Sequence, residues 1–135
     1  MILRALLAAT SLIAGAESFA GVSAYQCQIS EQLHLDAAGE LKRPANPWLI
    51  RSRFSVDRDT GALVGPDKSF WSFKDSRSTV LARGNERTSF VALIMSAATD
   101  NGVLATTLVI EEFTKGPVKP FMVSTGSQVA SGMCE

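Results

Sequence analysis

Residues suited to chemistry are scarce in this chain. One histidine, His34, and two cysteines, Cys27 and Cys134, stand in 135 residues. A single histidine rules out the usual histidine-rich transition-metal centre. Two thiols alone fall short of the four ligands of a structural zinc site. A Ser-His-Asp relay would have to use His34, and no Gly-x-Ser-x-Gly elbow accompanies it. On strand periodicity His34 falls on a polar face, so it is expected to meet solvent. No glycine-rich phosphate loop is present. An excess of either charge is also missing, since 13 basic side chains balance 13 acidic ones. A neutral chain has no basic field to hold nucleic acid or an anionic membrane surface. Helical periodicity is hard to find.

Acidic groupings are few and poorly placed. Asp57-x-Asp59-x-Gly61 opens like a calcium loop. The later loop positions that need an oxygen donor, a glycine and a glutamate hold Gly61, Ala62 and Lys68 instead. A hairpin turn is the better reading. Glu31 with Asp36, and Glu111 with Glu112, are the remaining acidic pairs. Adjacent strand residues point to opposite faces, so Glu111 and Glu112 do not line one site. Either would pair across strands with Arg51, Arg53 or Arg87. The chain is therefore expected not to be an enzyme and to need no cofactor or metal.

What is present begins with an export signal. Arg4 follows the initiating methionine closely, and residues 5–16 form an apolar run broken only by Thr10 and Ser11. That run is too short to cross a bilayer core of about 30 Å. Val22-Ser23-Ala24 then offers small or modest residues at a cleavage site, with Ala20 as the second choice. Residues 1–24 are read as a signal peptide and residues 25–135 as one domain. No later apolar run is long enough to anchor the chain, and Ala24-Tyr25-Gln26 before Cys27 is not a lipidation box. A periplasmic or secreted location follows. In an oxidising compartment two cysteines pair, so Cys27 and Cys134 are expected to form a disulfide enclosing nearly the whole domain.

Alternation with a period of two dominates residues 25–135. Tyr25, Cys27, Ile29, Leu33 and Leu35 share one face, while Gln26, Gln28, Ser30, Gln32 and His34 share the other. Trp48, Ile50, Phe54 and Val56 continue the pattern in a second strand, with Arg51, Arg53 and Asp57 opposite. Gly65-Pro66-Asp67 breaks the return strand, and Gly84-Asn85 marks a hairpin. Residues 88–97 and 103–113 are the longest strand candidates, joined by Asp100-Asn101-Gly102. Their near-continuous apolar character suggests cover on both faces. Pro120 allows only a short strand over 121–124, and 129–134 forms the last one. About eight strands without a helix imply an antiparallel β-barrel or sandwich. The disulfide would set the first strand beside the last, which favours closure into a barrel.

The plan resembles small secreted β-barrels of the calycin type, lipocalins among them, and the periplasmic lysozyme inhibitors. Where lipocalins carry Gly-x-Trp this chain has Asn46-Pro47-Trp48, after a preceding strand. No segment matches the inhibitors' motif, so no functional residue is carried over.

Phe70-Trp71-Ser72-Phe73 is the one unusual local composition. In an extended segment Trp71 and Phe73 share a face opposite Phe70. The three aromatics suit either a core strand or a partner or ligand surface. The expected function is binding of a protein or a small apolar ligand. A lipocalin-like carrier and a hydrolase using carboxylates from separate strands are the alternatives.

Overall fold

A computed structural model describes residues 24–65, 76–96 and 103–135. Residues 1–23 of the signal segment, the Asp100-Asn101-Gly102 turn, and Phe70, Trp71 and Phe73 lie outside the described residues. Those described contain strands and no helix. In chain order the strands are β1 (Ala24–Leu35), β2 (Leu41–Lys42), β3 (Arg53–Asp57), β4 (Leu63–Val64) and β5 (Arg77–Asn85). They continue as β6 (Thr88–Met95), β7 (Ala105–Ile110), β8 (Lys119–Thr125) and β9 (Gln128–Cys134). All pairings are antiparallel, in the order β4-β3-β1-β9-β8-β7-β6-β5, with β2 beside β1. The sheet curls into a half-barrel around one apolar core.

The expected disulfide joins Cys27 of β1 to Cys134 of β9. The two residues are directly opposite in the ladder, with Cα atoms 4.0 Å apart. The hydrogen-bonded pair next to them is Gln26 with Glu135, so the cysteines occupy the closer, non-hydrogen-bonded position. Both are buried in the core. The bridge does not mark a closing seam, however. β3 occupies the other side of β1, and the edges of the sheet are β4 and β5. The two ends of the sheet meet through side chains. A Cβ on Gly61, after β3, would lie 2.9 Å from the Ala92 Cβ and 3.3 Å from a Val80 methyl. Asp59 on the same turn pairs with Arg83 of β5 at 2.7 Å.

The alternation expected along β1 holds from Tyr25 to Ile29 and then inverts. Ser30 is an extra residue against β9, because Ile29 pairs with Gly132 and Glu31 with Ser131. Such a bulge reverses the facing of every residue beyond it. Gln32 therefore turns into the core and Leu35 turns out to solvent, the opposite of strict alternation. The buried Gln32 amide is satisfied. Its oxygen accepts from the Leu49 backbone N–H at 3.1 Å, and its nitrogen faces Gln128 Oε1 at 3.5 Å. Leu49 is fully buried, whereas the sequence pattern had placed its neighbours Trp48 and Ile50 inward. The cause is the turn at 49–52, which docks on the bulge through Arg51 N to Ile29 O and Ile29 N to Ser52 O.

At Gly132 only a glycine fits. An added Cβ would stand 1.9 Å from the Gln28 carbonyl oxygen and 2.9 Å from the Phe121 ring. Phe121 fills that space and meets Phe54 edge-on at 5.2 Å. Pro120 lies inside β8 rather than before it. Its carbonyl accepts from Glu111 N just where β7 has ended, so the donor it lacks falls beyond the ladder.

Candidate functional site: the outer sheet face

The concave side of the sheet is filled by its own side chains, among them Phe90, Ile94, Leu108, Ile110 and Val123. The surface left for recognition is the outer one. Over β6 to β9 the outward positions hold Val91, Leu93, Met95, Val109, Met122, Val129 and Met133, with serine and threonine between them. Val91 pairs with Val109, Val109 with Met122, and Met122 with Ser131, which makes one continuous row across four strands. None of the outward residues from β6 through β9 between these points is charged. Met95, Met122 and Met133 are 44%, 50% and 46% exposed. They are all the methionines after Met1. Cover on both faces, expected from the apolar runs, is thus complete only on the concave side. Periodicity cannot distinguish a covered face from an open apolar one.

The face runs on into a concavity of about 340 Å³ at the disulfide end, lined by Gln26, Gln28, Arg53, Val118, Met133 and Glu135. Ladder register builds it. Arg53, Gln28 and Met133 form one outward row across β3, β1 and β9, and Ser55 and Gln26 form the next. A second hollow beyond β3 shares Gln26 and Arg53 and reaches Val64. Arg53 makes no ion pair with any described residue.

A separate polar cluster lies at the rim of the core. Tyr25 donates its phenol proton to Glu112 Oε1. Arg58 donates to the same oxygen at 3.0 Å and lies over the Tyr25 ring at 4.5 Å from its centre. Burial, then donation to Glu112, push the Tyr25 phenol well above its ordinary pKa, against the opposing pull of Arg58. The cluster fastens β1 and the turn after β3 to the end of β7. The partner of Glu112 is Arg58, not Arg51, Arg53 or Arg87. Arg58 was hidden in the Asp57-Arg58-Asp59 turn, whose distance from β7 in sequence conceals their closeness in space.

The other singled-out residues are engaged locally. Asp57 caps its own turn, its Oδ1 accepting from Thr60 N at 2.7 Å and Asp59 N at 3.0 Å. Glu31 pairs with Arg43, and Lys42 binds both Asp36 and Glu40. No cluster of metal-ligating side chains forms among the described residues. His34 is half-buried rather than solvent-facing, and its Nδ1 is buried without a hydrogen-bond partner among the described residues.

Neither protein-family models, nor curated proteins, nor solved structures match this chain. The outer face must be interpreted from its own chemistry. It combines an uncharged apolar field with flexible thioethers, and it ends in a polar hollow around Arg53.

Proposed function

We propose that this chain is an exported, non-enzymatic binding domain that docks a protein partner on the outer face of β6 to β9. Export rests on the order of charge, apolar run and cleavage site in residues 1–24, and on the buried disulfide, which belongs to an oxidising environment. The observation that carries the docking reading is the uncharged row from Val91 to Met122 with three half-exposed methionines around it. Strands about 4.8 Å apart and outward rows about 20 Å long give this face roughly 400 Å². That is the size of the largest apolar patch on a typical monomer, about 300–600 Å², which is often functional. It is half of the roughly 800 Å² per partner in a standard stable interface, so docking is transient or recruits the Arg53 hollow as well. Unbranched methionines adapt to a partner's shape, which suits such a surface.

A small apolar ligand is the second reading, and the hollow beside Met133 favours it. Its volume of about 340 Å³ reaches the lower end of ligand pockets.

Photo-crosslinking separates the readings. A photoreactive residue at Met122 should yield a discrete protein adduct in the exported fraction, and one at Arg87 on the β5–β6 turn should not. Val109→Asp should abolish the adduct while the domain still folds. Equal labelling at positions 122 and 87 would remove support for docking, and a small-molecule adduct at Met133 alone would favour the ligand.

A further inference from the structure

The five sulfur atoms after Met1 fall into two classes. Cys27 and Cys134 are buried and already joined. Met95, Met122 and Met133 are exposed, and all three project from the uncharged outer face. Met122 and Met133 lie on adjoining strands as diagonal neighbours, since Met122 pairs with Ser131, two residues before Met133. Thioether oxidation follows accessibility, and it converts a flexible apolar side chain into a polar one.

We propose that Met95, Met122 and Met133 form a redox switch on the docking face, a deepening that rests on the docking reading above. The oxidant is hydrogen peroxide. Its O–O bond breaks, one oxygen adds to the methionine sulfur, and the other leaves as water while the sulfur gives up two electrons. A dithiol reductant reverses the step, removing the oxygen as water and becoming a disulfide. None of the three side chains enters the core, so oxidation leaves the fold intact. Its effect is on recognition. A sulfoxide oxygen is a strong acceptor, and once docked it must find a donor or remain unsatisfied. The outward ladder positions around Met122 offer no charged donor, only the hydroxyls of Ser131 in its own row and of Thr107 and Ser124 in the next. Each oxidised methionine therefore turns part of an apolar surface into one that resists being dried.

The test uses the full exported chain with its disulfide intact and hydrogen peroxide as the probe. Peptide mapping should show all three methionines oxidised at about the rate of free methionine. Retention on a hydrophobic-interaction column should fall, the melting temperature should stay unchanged, and methionine sulfoxide reductase with a dithiol should restore retention. A Met95→Leu/Met122→Leu/Met133→Leu variant should keep its retention through peroxide treatment. Oxidation slower than free methionine by about tenfold or more would overturn the proposal. So would full conversion with unchanged retention, or a collapse in melting temperature on oxidation. These readouts need no partner. A failed crosslink at position 122 with intact switching would refute docking alone, and the reverse result would refute the switch alone.

Discussion

Replacing Gln32 with leucine removes one amide from the core at nearly constant volume. Strict alternation along β1 would put this residue in water, where such a change is worth within about 0.5 kcal/mol. The bulge at Ser30 instead buries it, with 2% of its surface exposed. Its oxygen is the acceptor for the N–H of Leu49, itself fully buried. Leucine supplies no acceptor, and a buried donor left unsatisfied costs about 1–3 kcal/mol. The leucine side chain returns part of that through apolar burial. The expected net loss is about 1–2 kcal/mol, read as a lower urea midpoint at constant slope with the disulfide oxidised. Leu33→Ala is the reciprocal measurement. A core leucine would cost about 2–5 kcal/mol, but Leu33 faces outward beyond the bulge, is only partly buried, and should cost about 1 kcal/mol or less. A neutral Gln32→Leu together with a Leu33→Ala loss above about 2 kcal/mol would restore unbroken alternation and refute the bulge.

Changing both Cys27 and Cys134 to serine should lower stability by about 2–5 kcal/mol in urea, because the bridge spans 107 residues and loop closure that long is worth at most about 4.7 kcal/mol. Gly132→Ala should cost about 3 kcal/mol or more, seen as lost soluble yield or a lowered midpoint, since the new methyl meets backbone that cannot move aside. Tyr25 is the only tyrosine, so phenolate absorbance at alkaline pH reports it alone. Its folded pKa lies above the unfolded value, so its contribution to stability is complete below about pH 10 and is lost as pH rises beyond that. Phenolate should appear only with unfolding, and Glu112→Gln should bring ionisation to a lower pH. A native domain titrating near pH 10 would exclude the Tyr25–Glu112 contact.

Local pattern and composition determined much of this protein by themselves. Alternating residues specified an all-β sheet with strands close to the right places, and Gly84-Asn85 marked the β5–β6 hairpin, whose turn falls just beyond it at Glu86-Arg87. Phe54 and Val56 were legible as core for the same reason, since period two is a property of any extended strand. The cysteine pair was legible because two thiols in a chain read as exported have few alternatives. Tertiary structure decided the rest. The extra residue at Ser30 exists only relative to β9, so no inspection of β1 alone reveals that Gln32 faces inward. Strand order is set by long-range pairing, which placed the disulfide inside the sheet and left β4 and β5 as its edges. Glu112 found Arg58 because curling brings the turn after β3 against the end of β7. The open methionine face had the same origin. A strand's composition records that a residue is apolar, but only the packing of the whole sheet settles which of its two sides is covered.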